Sequence, residues 1–123
     1  MTDLPYFADT YALIELVGGN LHYKPYLNGI LFTTEYNLIE LYYSFLKDYG
    51  KEKADYYFAL FSNFIIPLTP LSIKKGMEFK LKYAKEKLSY VDCVGYALAR
   101  ELEIPFLTGD QKFENKENVI YIK

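Results

Sequence analysis

Cysteine and histidine are nearly missing from this chain. Cys93 is the only thiol and His22 the only imidazole among 123 residues. A lone cysteine forms no internal disulfide and fits a reducing, cytoplasmic setting. One histidine excludes two-histidine acid–base catalysis, and together the two scarcities exclude a multi-His or Cys/His zinc centre. A Cys–His nucleophilic pair is formally open. Cys93, however, falls in a helical apolar pattern, where a thiol packs as an inert core residue. No apolar run reaches the ~18 residues of a membrane-spanning helix, so no membrane partner is expected. The opening "MTDLPYFADT" has no basic segment followed by an apolar one, so no signal peptide is expected either. A net charge of −2 gives no bulk attraction to nucleic acid. A nucleic-acid partner would need a local basic patch. If the protein is an enzyme, carboxylates are the groups left to carry its chemistry.

What is present is an apolar, aromatic-rich chain. Apolar residues make up 51% and aromatics 19%, which excludes a disordered polymer. The length suits one domain over 1–123 with a sizeable core. "LPYFAD" (4–9) reads as a strand, and "TYALIELVGG" as a helix stopped by Gly18 and Gly19. "GILFTT" (29–34) predicts a second strand, followed by helices over 35–50 and 51–63 and a third strand, "FIIPL", over 64–68. An amphipathic helix is expected over 69–88, with Pro near its start. The next, over 89–103, opens with Ser89 and Asp92 at capping-box spacing. "IPFLTG" and "NVIYIK" (118–123) are the last two strands. Short apolar strands alternating with helices imply an α/β fold, its parallel five-stranded sheet covered on both faces.

Parallel α/β sheets bind ligands outside the carboxyl ends of their strands. Asp9 closes the first strand there, and Asp110 lies just beyond the fourth. Glu40 sits in the helix after the second strand, flanked by Tyr36 and Tyr43, and Asp92 in the first turn of the helix feeding the fourth. Each acid also has a local reading. Asp9 before Thr10 would cap a helix, Asp110 would start a turn, and Asp92 would complete a capping box. Glu40 has no such backbone role. If the first and fourth strands are neighbours, all four converge on one edge. Their mutual repulsion would then keep some protonated unless a cation offset it. Hard oxygen donors without His or Cys suit Mg²⁺ or Mn²⁺.

The blocks "YFADTYALIE", "FTTEYNLIELYY" and "LSYVDCVGYALARELEIPFLTGDQKF" resemble the PIN domain family, specifically the VapC-like toxins of type II toxin–antitoxin pairs. The third block is the most specific, and the resemblance spans nearly the whole chain. It implies a three-layer α/β/α sandwich and metal-dependent endoribonuclease activity on RNA, with homodimerisation and inhibition by a protein antitoxin. A ribonuclease of RNA processing and a catalytically silent RNA- or protein-binding domain are the alternatives within the fold. The family's acidic quartet falls on Asp9, Glu40, Asp92 and Asp110. Asp9, Asp92 and Asp110 would be metal ligands, and Glu40 would orient water. Thr10 and Thr108 would hold the ligands or the scissile phosphate, with a strand-end hydroxyl that bonds only the turn as the equal alternative for Thr108. Many members carry a further acid two positions after the last Asp. Here that position is Lys112, with Glu114 two further as a substitute.

Substrate contact calls for positive charge. Plotted at 100° per residue, the 69–88 helix sets Ile73, Met77, Leu81, Ala84 and Leu88 in one apolar stripe. Lys74, Lys75, Lys82 and Lys85 gather on the adjoining face, as an RNA-contacting surface or as a solvated one. Phe79 and Tyr83 point away from the stripe. Outward-facing members of the set Tyr49, Tyr56, Tyr57 and Phe58 would suit a dimer or antitoxin interface.

Overall fold

The computed structural model describes residues 4–123; the first three positions of the expected 1–123 domain lie outside the described residues. Its strands are β1 (Pro5–Ala8), β2 (Ile30–Phe32), β3 (Phe106–Thr108) and β4 (Val119–Tyr121). They form one parallel sheet in the order β2-β1-β3-β4, with Phe7 opposite both Phe32 and Phe106. The helices are α1 (Thr10–Val17), α2 (Glu35–Tyr49), α3 (Lys51–Phe61), α4 (Pro70–Lys82) and α5 (Tyr90–Glu101).

Side-chain alternation along the strands creates two apolar layers. Tyr6, Ala8 and Leu107 face Leu13, Leu16, Leu38, Leu41 and Phe45 of α1 and α2. Phe7 and Phe106 face the opposite way, onto Tyr96 and Leu98 of α5 and onto Phe113. The result is the expected α/β/α sandwich.

One expected strand is reduced to a single bridge. At 64–68 the chain makes only a parallel bridge from Ile65 to Thr33, with Thr33 N–H donating to Phe64 O and Ile66 N–H to Thr33 O. On one side of the bridge Thr34 already caps α2, and on the other Ser62–Phe64 forms a 3₁₀ turn, so neither direction extends the ladder and the sheet of the described residues has four strands instead of five.

The long helix over 69–88 also breaks early. It stops at Lys82, and a short 3₁₀ turn, Ala84–Glu86, leads into Lys87 at φ 56°. The expected stripe faces inward only in part: Met77 packs against the core and Leu88, beyond the helix, is buried, whereas Leu81 is 78% and Ile73 46% exposed. Ser72 and Gly76 are buried instead, and Phe79 and Tyr83 pack against the core below α5. α4 and α5 approach too closely for larger residues, since a Cβ on Gly76 would lie 2.9 Å from Val94 Cα. Backbone proximity, not apolar content, selects that face.

Candidate active site at the carboxyl edge of the sheet

The chain leaves β1 directly into α1, and Asp9 is the residue between them. Its Oδ1 accepts from the Ala12 N–H at 2.8 Å, the N-cap bond expected of an Asp there. That bond leaves Oδ2 pointing along the sheet edge, where it accepts from the hydroxyl of Thr108 at the end of β3. β1 and β3 are paired neighbours, so the adjacency that brings the acids together is present. Asp9 is 2% exposed. Burial pushes its carboxyl up to about 8; the charge of Asp92 and, more weakly, Asp110 add to the rise, against the hydrogen bonds from Thr108 and Ala12.

Asp110 follows β3 by two residues. The Thr108 hydroxyl accepts from its N–H at 3.0 Å, and its Oδ1 caps a 3₁₀ turn (Gln111–Phe113) through the Lys112 N–H at 3.0 Å. Thr108 therefore braces two of the acids at once. Between them Gly109 passes so close to the Tyr11 ring that a Cβ would stand 2.1 Å from it.

Asp92 lies in the first turn of α5, which Ser89 caps by accepting from the Asp92 N–H at 3.0 Å. Only this half of the expected capping box forms, and the reciprocal box appears at α4 between Thr69 and Ser72. Burial raises the Asp92 carboxyl to about 6; Ser89 and Lys112 oppose the rise, while Asp110 and Glu40 add to it. Glu40 is half-buried on α2, and Thr10 donates to its Oε1 at 2.6 Å.

Sequence reasoning missed Asn37. It is fully buried and donates to Thr10 Oγ1 at 3.2 Å, while the Thr34 hydroxyl donates to its Oδ1 at 2.6 Å. Thr34, Asn37, Thr10 and Glu40 thus form a chain of hydrogen bonds that fixes the glutamate. The only trace in the sequence is the Thr-x-x-Asn spacing of a helix cap at Thr34.

The structure brings together Asp9, Asp92, Asp110, Glu40, Thr10 and Thr108. Glu114 is exposed just past the 3₁₀ turn, with no side-chain hydrogen bond among the described residues. Cys93 is buried with its thiol pushed up to about 11 by burial, whereas His22 is exposed, so no Cys–His pair operates. Lys74, Lys75, Lys82 and Lys85 are all exposed. Lys75 and Lys82 border a cleft of about 660 Å³ between α4, α5 and residues 115–117. No helix among the described residues is long and apolar enough to cross a membrane.

A family model described as the PIN domain matches residues 6–119. No curated protein sequence matches the chain. Among solved structures, a toxin–antitoxin complex from Klebsiella pneumoniae superposes with TM-score 0.72 at 19% identity, over 94% of this chain and 95% of that one. VapBC2 from Rickettsia felis, bound to a DNA fragment from its promoter, gives 0.71 at 20% identity over 96% and 97%. VapC20 of Mycobacterium tuberculosis, a toxin cleaving the sarcin–ricin loop, gives 0.72 at 19% identity over 91% and 95%. At these identities the likeness to the three structures is one of fold.

Proposed function

The chain belongs to the PIN domain family, and on that premise we propose that it is a metal-dependent endoribonuclease, the toxin of a type II toxin–antitoxin pair. The observation that carries the reading is the gathering of Asp9, Glu40, Asp92 and Asp110 at one sheet edge, where the charges of Asp92 and Asp110 help raise Asp9 and those of Asp110 and Glu40 help raise Asp92. The fold shared with toxin–antitoxin structures supports the biological part of it.

The residues suit Mg²⁺ or Mn²⁺ in donor chemistry. All the candidate ligands are hard carboxylate oxygens, and burial with mutual repulsion leaves them short of positive charge. Among the described residues no three His, Cys, Asp or Glu side chains close into a ready cage. Mg²⁺ keeps several waters and takes few protein ligands, so an open set of acids is compatible with it. Asp9, Asp92 and Asp110 would hold the ion. Bound there, it would offset the repulsion between carboxylates and phosphate and lower the pKa of the attacking water.

The chain's own residues do the rest. Asp9 holds a proton at neutral pH and must release it to become a ligand. Thr108 keeps Oδ2 of Asp9 and the Asp110 backbone in fixed relation. Thr10 engages one oxygen of Glu40 and leaves the other to orient water. Lys75 and Lys82 on the cleft, with Lys74 and Lys85, supply charge for the RNA backbone. Exposed Tyr49, Tyr56 and Phe58 offer anchors for a homodimer or the antitoxin. The test is to incubate total RNA with the purified protein, with and without Mn²⁺, and map new 5′ and 3′ ends. Discrete ends that require the metal are expected; unchanged RNA in both arms would leave a silent binding domain.

A further inference from the structure

Lys112 stands where an additional acid would extend the cluster, and its surroundings are specific. Its backbone N–H donates to Asp110 Oδ1 at 3.0 Å, so its position follows that of the carboxylate. Its ammonium donates to the carbonyl of Lys87 at 3.3 Å, in the left-handed turn two residues before Ser89 caps α5. The side chain therefore spans from the Asp110 loop to the root of the helix bearing Asp92. The neighbouring Lys116 strengthens the same clasp: its ammonium pairs with Glu86 at 2.8 Å and donates to the Lys112 carbonyl at 3.3 Å. Two lysines from one loop thus hold the turn that precedes α5. Of the two, Lys112 is the one joined directly to an acid of the edge, through its N–H to Asp110 Oδ1.

An ammonium held at this place by the Lys87 carbonyl has an electrostatic consequence. Asp9, Glu40, Asp92 and Asp110 carry at most four negative charges, and a divalent cation offsets two. The ammonium offsets a third, and it repels any further cation approaching from the Asp92 and Asp110 side. An acid at 112 would do the reverse, adding a hard oxygen donor and a negative charge. We propose that the Lys112 ammonium is a positioning and charge-setting residue that restricts the acidic edge to one divalent cation. The proposal rests on the reading of that edge as a cation site.

Mn²⁺ binding, followed by electron paramagnetic resonance of the free ion and by calorimetry, tests it without recourse to cleavage. Wild type and Lys112→Arg should each bind one Mn²⁺ per chain with similar affinity. Lys112→Met, which keeps the stem and loses the charge, should bind its ion about tenfold more tightly, as for a charge removed several ångströms away. Lys112→Glu should bind two. Thermal melting of each variant without metal separates loss of the clasp from loss of the charge, because a purely structural lysine would alter melting and leave stoichiometry alone. Two ions in wild type, or one in Lys112→Glu with unchanged affinity in Lys112→Met, would overturn the proposal. Absence of Mn²⁺ binding in every variant would instead overturn the cation-site reading on which it stands.

Discussion

Thr108, the last residue of β3, donates its hydroxyl proton to Oδ2 of Asp9, the first residue beyond β1. The same hydroxyl oxygen accepts from the Asp110 N–H at 3.0 Å. One buried side chain therefore sets the spacing of two acids 101 positions apart in the chain, and it does so across paired strands. Thr108→Val keeps the shape and removes both bonds. RNA cleavage should fall about 10–100-fold, as when a partner orienting a metal ligand is removed. Thr108→Ser should retain most of the rate. Equal rates in all three proteins, measured at saturating Mn²⁺, would show that the hydroxyl serves only the turn.

The raised carboxyl of Asp9 makes a prediction about pH. Unfolded, the group titrates near 3.8; folded, near 8. Between those values the folded state binds the extra proton, so the metal-free protein is most stable below about 4 with respect to this group and loses that stability as pH rises to 8. The slope approaches about 1.4 kcal/mol per pH unit for one proton. Urea denaturation should show this loss in wild type, and Asp9→Asn should flatten it between about pH 6 and 8, above the range where Asp92, raised to about 6, adds its own slope. The variant should be as stable as wild type or more so at pH 8. A parallel pair of pH curves would contradict the buried-acid assignment.

Asn37 gives a separable test of how Glu40 is held. Asn37→Ala leaves the Thr34 and Thr10 hydroxyls without their buried partner, at a cost of about 1–3 kcal/mol. Cleavage should drop further than this loss of stability explains, because Thr10 then no longer keeps Glu40 in place. Thr10→Val should reproduce the drop in rate and Thr10→Ser should not. If Asn37→Ala cleaves normally while it is destabilised, the asparagine supports only the cap of α2.

Much of the site is legible in the sequence because three of the four acids sit at an element boundary, Glu40 inside α2 being the exception. Asp9 and Asp110 follow strand ends, and Asp92 falls three residues after the helix cap Ser89, positions that a coarse reading of strands and helices already locates. Their capping bonds and their placement at the sheet edge turn out to be one arrangement, since the bond to Ala12 leaves the second oxygen of Asp9 along the sheet edge toward Thr108. What escapes the sequence depends on distances between elements. Asn37 reaches Thr10 across two helices, and no spacing within the chain encodes that bond. Apolar periodicity favours Ile73 and Leu81 as the inner face of α4, while packing against α5 demands Ser72 and Gly76. At 64–68 the composition is β-rich, yet the start of α2 at Thr34 and the 3₁₀ turn over Ser62–Phe64 leave room for a single bridge.

The lysines of α4 make a prediction in salt. Lys75 and Lys82 flank the cleft, and reversing both to glutamate should weaken RNA binding at low salt. Each phosphate left without its lysine should flatten the plot of log affinity against log salt by about 0.7 for a single strand. Filter binding to a non-cleaved RNA, with Asp110→Asn as the background, reads the slope. An unchanged slope would mark these lysines as a solvated helix face.

The most direct measurement is the initial rate of cleavage of one mapped RNA by wild type and by Asp110→Asn, both confirmed folded, at the same Mn²⁺ concentration. Asp110→Asn removes a charge and preserves the 3₁₀ cap through its remaining amide oxygen, so folding should be intact. Metal-dependent cleavage by wild type and none by the variant is the predicted result. A fully active Asp110→Asn protein would contradict the assignment of the acidic edge as the active site.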